Sequence, residues 1–140
     1  MREILFRGKG TCGLNAGDWI YGYYVKDFWK PTRCGCGIIP IDKERGGYCE
    51  VKPSTIGQYT GLTDKNGKKI FKGDIVHCVS KFDSADMVVI FECGQFRMIL
   101  AEKYHEYQTN IGYYDINCFA KEVIGNIYDN PELLKEANSK

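Results

Sequence analysis

Short runs of aromatic and β-branched residues, separated by glycine-containing turns, recur along this chain and limit the folds it can adopt. Residues 19–25 (Trp-Ile-Tyr-Gly-Tyr-Tyr-Val) form one run, and Phe96, Met98 and Leu100 share one face of another. A period of two is typical of strands, whose successive side chains point to opposite faces. Ten Tyr, sixteen Gly and only four Pro also suit strands and tight turns better than a helical bundle.

The same kind of pattern predicts four further strands. Three are apolar or alternating runs, and the fourth contains Pro40, which has no N–H to donate and is therefore expected at the edge of a sheet. These strands are predicted at residues 38–41, 75–80, 87–91 and 123–128. The dipeptide Asn66-Gly67 predicts a hairpin turn of type I′, in which both central residues need a positive φ.

Helix signals are confined to the end of the chain. Asn130 is a suitable N-cap, and Pro131 is suited to the first helical position. The predicted fold class is mainly β: a small curved sheet or partly open β-barrel with a short C-terminal helix. A length of 140 residues predicts one domain, 1–140, with a loop excursion at about residues 26–50.

The charge and the absence of targeting segments exclude some classes of protein. The formal net charge of +1 argues against a dedicated nucleic-acid-binding protein, which usually carries a strongly basic face. The first residues do not resemble a signal peptide, and no run approaches the roughly 20 apolar residues that span a bilayer. The sequence therefore predicts a cytoplasmic protein with no membrane partner.

Seven cysteines raise the question of a metal site. Cys34 and Cys36, flanked in sequence by Cys12 and Cys49, form the densest group. Paired zinc ligands are usually separated by about two to four residues, whereas one residue separates Cys34 from Cys36. Neither histidine lies near them in sequence. We therefore expect reduced thiols, no structural zinc and no cofactor.

No group of residues has the pattern of a catalytic site. His77 and Cys78 are adjacent in a predicted strand, so their side chains should point to opposite faces and could not react together. Asp74 follows Gly73 at a strand entrance, where an aspartate commonly accepts hydrogen bonds from turn backbone. The sequence predicts no catalytic residue and no enzymatic activity. An enzyme whose site is assembled from residues distant in sequence is a third, weaker hypothesis.

Three segments together resemble the YopX protein family. They are residues 1–8 (MREILFRG), 56–76 (IGQYTGLTDKNGKKIFKGDIV) and 123–134 (VIGNIYDNPELL), in the same order as in the family. The resemblance implies a phage or prophage origin, and so a location in the cytoplasm of a bacterial host. It also implies a mainly β, barrel-like architecture over a single YopX-like domain. It implies no established activity and supplies no catalytic residues.

Two hypotheses about function follow. The leading one is a non-enzymatic, phage- or prophage-encoded accessory protein that binds a host or phage protein, with a homo-oligomer left open. The alternative is a weak, sequence-tolerant nucleic-acid-binding module that uses the lysine-rich hairpin. Its candidate contacts are basic residues interleaved with aromatic ones: Lys65, Lys68, Lys69, Lys72, Tyr59 and Phe71. An exposed aromatic patch would favour the first hypothesis, and a basic face would favour the second.

Overall fold

The computed structural model describes residues 3–11, 16–26, 36–42, 44, 47–106, 114–117 and 119–134. It divides into two compact units, Met1–Gly61 and Leu62–Lys140. The predicted mainly β class is confirmed, because the described part of the chain consists chiefly of strands in two antiparallel sheets, neither of which closes on itself. The prediction of a single domain stays a prediction, since compactness alone does not show whether each unit folds independently.

Eleven strands are present among the described residues. They are β1 (Phe6–Lys9), β2 (Trp19–Lys26), β3 (Cys36–Pro40), β4 (Cys49–Glu50), β5 (Gly57–Thr63), β6 (Lys69–Phe71), β7 (Asp74–Val79), β8 (Ser84–Glu92), β9 (Gln95–Leu100), β10 (Tyr114–Asp115) and β11 (Ala120–Asn126). One sheet has the order β4-β3-β2-β1-β5-β6, and the unit boundary falls within β5. The other has the order β10-β9-β8-β7-β11.

In the first unit, one face of the sheet carries a compact apolar core. Ile20, Ile38 and Val51 are fully buried in it, and the buried side chains of Cys36 and Cys49 complete the cluster. Cysteine behaves as a small apolar residue in such a position. This cluster anchors β2 and β3, so the opposite face of those strands is held in a fixed arrangement.

The strand that contains Pro40 is not at the edge of its sheet, contrary to the sequence-based expectation. β3 lies between β2 and β4. However, β4 pairs only with Gly37 and Ile38, while Pro40 pairs with Gly22 of β2. Among the described residues, no strand pairs with Pro40 on its other side, so its missing N–H costs no ladder hydrogen bond.

In the second unit, the sheet is apolar on both faces. Val76, Met87 and Met98 belong to one buried cluster, and Ile75, Val88 and Ile99 belong to another. Consecutive residues of one strand, such as Ile75 and Val76, therefore pack into different clusters on opposite faces of the sheet. This arrangement explains why the central strands read as continuous apolar runs rather than as alternating ones.

Three 3₁₀ helices, Pro53–Thr55, Ala101–Glu106 and Pro131–Leu134, complete the described elements. The last begins where the sequence predicts a helix. The side-chain oxygen of Asn130 accepts a hydrogen bond from the backbone N–H of Asn126 at 3.2 Å, and Leu134 is buried. The predicted helix extends into residues 135–140, which lie outside the described part of the chain.

The turn at Asn66-Gly67 differs from the predicted type. Gly67 has a φ of +82°, but Asn66 is not among the described non-glycine residues with positive φ. The N–H of Gly67 donates to the carbonyl of Asp64 at 3.0 Å, which makes a type I turn followed by a left-handed glycine. The type I′ prediction is wrong at this position. Positive φ at two successive residues occurs instead at Cys93 (50°) and Gly94 (78°), between β8 and β9.

We expect Gly67→Val to lower the free energy of unfolding by about 1–2 kcal/mol, because valine is strained at positive φ. The added side chain would meet no heavy atom within 4 Å, so the cost arises from the backbone alone. Lys68→Ala on the same exposed turn should change stability by less than about 0.5 kcal/mol. Urea denaturation of both variants measures the difference. Coincident midpoints would show that Gly67 does not need positive φ.

Candidate functional site

The first unit exposes a row of tyrosine and isoleucine side chains on one side of its sheet. Exposed fractions are 38% for Tyr21, 57% for Tyr23, 42% for Ile39, 50% for Ile41 and 40% for Tyr48. Single exposed apolar residues are common, but several together are unusual on a protein that acts alone. We call these five residues the tyrosine face.

Strand pairing brings the members of the tyrosine face together. Tyr23 pairs directly with Ile39, and the N–H of Ile41 donates to the carbonyl of Tyr21 at 3.0 Å. Directly paired side chains on one face of an antiparallel pair lie about 4.5–5.5 Å apart at Cβ. Tyr48 completes the group, because its ring occupies the position that a Cβ on Gly37 would take. Gly37 pairs with Val25, which is two residues from Tyr23 on β2.

Two cations and an indole ring adjoin this face. In the register of β1 with β2, Arg7 pairs with Tyr21 and Lys9 pairs with Trp19. The guanidinium of Arg7 lies 4.6 Å from the centroid of the Trp19 ring, and Lys9 Nζ lies 5.4 Å from it. Cations within about 6 Å of an aromatic ring are attracted to its face. The stacking holds the Trp19 ring in place beside the tyrosine face.

The lysine-rich hairpin is fixed to the edge of β11 and is not a free loop. One carboxylate oxygen of Asp64 accepts the N–H groups of Asn66 and Lys68, each at 2.9 Å, and the other accepts the N–H of Val123 at 2.9 Å. Burial by itself raises the pKa of Asp64, but these three hydrogen bonds and the charge of Lys68 outweigh it and lower the pKa below its ordinary value. The carboxylate therefore joins the turn to β11.

The structure limits the role of the candidate nucleic-acid contacts, because one lysine is paired and both aromatic rings are buried. Lys65 is exposed, but its Nζ lies 3.4 Å from the carboxylate of Glu122, which offsets its charge. Tyr59 and Phe71 are only 7% and 2% exposed, so neither ring is available for stacking on a base. Lys68 and Lys69 are exposed, and Lys72 is half-buried. Contact between these lysines and nucleic acid stays a prediction. Tyr59 and Phe71 offer no exposed ring on which a base could stack.

His77 and Cys78 point to different faces of β7, as their adjacency predicts. His77 Nδ1 lies 2.7 Å from a carboxylate oxygen of Asp86 on β8, whereas Cys78 Sγ lies 3.8 Å from the sulfur of Met98 in the core. Burial raises the pKa of the Cys78 thiol to about 11, so it is protonated near neutral pH and a poor nucleophile. The carboxylate of Asp74 is buried and accepts the N–H of Phe71 at 2.8 Å, which confirms its structural role in the turn.

Of the four cysteines considered as zinc ligands, two lie within the described part of the chain. Cys36 and Cys49 are buried in the core of the first unit, while Cys12 and Cys34 lie outside the described residues. Within the described part, no three His, Cys, Asp or Glu side chains are placed to hold a metal ion. The expectation of no structural zinc stays a prediction, since half of the candidate ligands are not described.

We expect the described thiols to differ sharply in reactivity toward a maleimide at neutral pH. Cys93 is exposed on a turn and should react in the native protein. Cys36, Cys49 and Cys78 are buried and should react only in denaturant. Peptide mapping after a short pulse of reagent gives the pattern. Rapid native labelling of Cys78 would show that its strand opens or that its thiol is activated.

Comparison with known proteins identifies the family. The family model described as YopX protein matches residues 23–135, which is most of the chain. The chain belongs to the YopX protein family. A solved structure with a similar fold is protein EF1440 from Enterococcus faecalis, with a TM-score of 0.53 and 22% sequence identity. The alignment covers 96% of this chain and 100% of EF1440. No curated protein matches.

Membership of the YopX family confirms the resemblance noted from the sequence and assigns no binding site. The matched region includes four of the five residues of the tyrosine face and starts just after Tyr21. The likeness to EF1440, at 22% identity, supports the fold alone. Among the described residues, no helix has the length and apolar character needed to cross a membrane.

Sequence reasoning located the strands of the tyrosine face but missed the face itself. Both sides of β2 carry apolar or aromatic residues, with Tyr21 and Tyr23 on one side and Ile20 and Tyr24 on the other. Hydrophobicity therefore does not indicate which side is buried. The use of tyrosine at alternate positions was the one available signal, because a tyrosine carries a polar tip that suits a partly exposed site.

Proposed function

We propose that this YopX-family protein is a non-enzymatic binding module whose tyrosine face contacts a partner protein. The observation that carries the proposal is the exposure of Tyr21, Tyr23 and Tyr48 together with Ile39 and Ile41 on one side of the sheet of the first unit. A phage or prophage origin would make the partner a host or phage protein in the bacterial cytoplasm.

The composition of the face supports a protein as the occupant. Tyrosine is enriched at protein interfaces, where its ring gives a large contact area and its hydroxyl gives a hydrogen bond, at a cost of only two side-chain torsions. Ile39 and Ile41 lie between the rings and supply apolar area. Such a group resembles the central, desolvated part of an interface, where a few aromatic anchors carry most of the binding energy.

The arrangement on the sheet also favours binding without rearrangement. Tyr23 and Ile39 are held by the β2–β3 ladder, and the opposite face of both strands is anchored by the buried side chains of Ile20 and Ile38. A surface that is already ordered loses little conformational entropy when a partner binds. The expected complex therefore forms with little change in the backbone of the first unit.

Affinity capture from a host lysate, with and without nuclease, tests the proposal. The informative variant is Tyr23→Ser with Ile39→Ser, which removes a directly paired couple from the face. Phe82→Ser is the matched control, because Phe82 is 90% exposed but lies on a turn of the second unit. Wild type and control should retain the same nuclease-resistant protein, and the double variant should lose it.

Three results would contradict the proposal. Equal capture by the double variant would show that the face is not the contact. Loss of the captured material on nuclease treatment would favour nucleic acid as the partner. Light scattering of the purified protein tests whether the occupant is a second copy of the chain. A dimer that the double variant converts to a monomer would show that the face joins two copies.

A further inference from the structure

The second unit contains a cavity of about 580 Å³ at the end where β7 and β8 are joined. This volume lies within the range of about 300–1,000 Å³ that is typical of small-molecule sites. Its lining comes from β7, β8, β9 and β10, the turn after β7, the 3₁₀ segments 101–106 and 131–134, and Phe119. Neither the candidate nucleic-acid contacts nor the residues of the tyrosine face line it.

The lining combines apolar and acidic residues in a particular way. Met87, which is 4% exposed, lies with Ala85 and Leu100 in the apolar part. Asp83 and Glu102 are exposed, whereas Met87 is buried, so the carboxylates lie nearer to solvent than the apolar part. A ligand that fills this space must therefore be apolar at its inner portion and polar nearer the opening.

The carboxylates available to a ligand in the lining are those of Asp83 and Glu102, because Asp86 is paired with His77 at 2.7 Å and points to the opposite face of β8 from Met87. No Lys or Arg is found among the described residues that line the cavity. Lys121 donates its Nζ to the carbonyl of Phe119 at 3.0 Å but is not part of the lining. The Cys78 thiol, which also lines the cavity, is protonated near neutral pH and adds no charge. The site therefore favours a cation over an anion.

Two aromatic rings in the lining strengthen this preference. Tyr114 and Phe119 have ring centroids 6.1 Å apart, at an angle of 58°. Phe119 is held at a φ of +70°, an uncommon conformation for a residue with a large side chain. Aromatic faces attract organic cations over about 6 Å, most strongly where water is partly excluded.

We propose that this cavity binds an organic cation with an aliphatic stem, an alkylammonium or a guanidinium. The stem would pack on Met87 and Leu100, and the cationic head would lie near Asp83, Glu102 and the two rings. This chemistry is shared by a free polyamine and by a lysine or arginine side chain of another protein. The site is independent of the tyrosine face, so it does not rest on the proposed function.

The test uses the methionine methyl groups as probes in NMR. The chain has three methionines; Met87 lines the cavity, and Met98 lies fully buried in the same apolar cluster. With ¹³C-methyl methionine, titration with Nα-acetylarginine amide should shift the Met87 signal saturably and leave Met98 unchanged. The citrulline analogue, which has the same stem and no charge, should shift Met87 much less.

Variants connect the signal to the proposed contacts. Glu102→Gln and Asp83→Asn should each weaken binding about fivefold at low salt, as expected for the loss of one exposed ion pair. Glu92→Gln removes a carboxylate from the far end of β8 and should leave affinity unchanged. Asparagine at position 83 keeps the side-chain oxygen that accepts the N–H of Ser84, so the turn is preserved.

Parallel titration with spermine and with a short lysine- and arginine-containing peptide distinguishes the two sources of the cation. Tighter binding of spermine would assign a free polyamine, and tighter binding of the peptide would assign a side chain of a partner. The proposal is overturned if Met87 does not respond to any of these cations, if citrulline shifts it equally, or if Glu102→Gln and Asp83→Asn bind as tightly as Glu92→Gln.

Discussion

Asp64→Ala is expected to lower the free energy of unfolding by about 3 kcal/mol, a large effect for one residue. The Asp64 carboxylate accepts three backbone N–H groups, from Asn66, Lys68 and Val123. Hydrogen bonds to a charged group are stronger than neutral ones, and alanine would leave the three donors without this partner. The loss should appear as a shift in the urea midpoint. Asp115→Ala is the matched control and should cost less than about 1 kcal/mol, because Asp115 is exposed at the end of β10 and its carboxylate accepts one backbone N–H, that of Asn117.

The contribution of Asp64 should also depend on pH. Because its pKa is lowered in the folded protein, the unfolded state binds the proton more readily near the ordinary value of 3.8. The stabilisation is therefore fully present above that value and is lost as the pH falls through the folded pKa. The difference in stability between wild type and Asp64→Asn should shrink in acid below about pH 4. A difference that stays constant from pH 6 to pH 2.5 would contradict the ionised carboxylate as its cause.

Gly22→Ala is expected to cost about 2–3 kcal/mol, although alanine usually suits a strand better than glycine. A Cβ at Gly22 would overlap the backbone carbonyl oxygen of Ile39 and lie 2.8 Å from the carbonyl carbon. The same Cβ would lie 2.9 Å from Cγ2 of Ile38. Backbone atoms of a paired strand cannot move aside as a flexible side chain can, so β2 and β3 must separate locally.

Thermal unfolding of Gly22→Ala beside Gly47→Ala measures this effect. A Cβ on Gly47, which is exposed, meets no described heavy atom within 4 Å, so that variant should stay within about 0.5 kcal/mol of wild type. Gly22 lies between Tyr21 and Tyr23, so a distorted ladder should also weaken partner capture by the tyrosine face. Equal stability of the two variants would show that β3 does not approach β2 as closely as the structure has it.

The strands could be predicted because their sequences are locally consistent, but their order in the sheets could not. The runs at 19–25 and 75–80 form β2 and most of β7, since aromatic and β-branched residues at those positions suit a pleated sheet. The edge position predicted from Pro40 failed because a short neighbouring strand, β4, can stop before the proline. The order of strands in a sheet is set by tertiary packing. The sequence of one strand does not show which strands will lie beside it.

The turn at Asn66 shows how a distant residue overrides a local signal. Asn-Gly favours a type I′ turn when the two strands alone decide, but here the carboxylate of Asp64 binds two turn N–H groups and also Val123, 59 residues later. The tyrosine face could not be predicted from the sequence for a related reason. Whether Tyr23 or Tyr59 faces solvent depends on which side of the sheet packs, and the structure exposes the first and buries the second.

Site-specific photocrosslinking in the cell can show whether the tyrosine face contacts a partner protein. A photoreactive phenylalanine replaces Tyr23 in one variant and Phe82 in the other, since both positions are highly exposed. After irradiation in the host cell, the Tyr23 position should yield one discrete protein adduct, and the additional change Ile39→Ser should abolish it. The Phe82 position should yield no such adduct. The same adduct from Phe82, or no protein adduct from Tyr23, would show that the tyrosine face does not contact a partner protein.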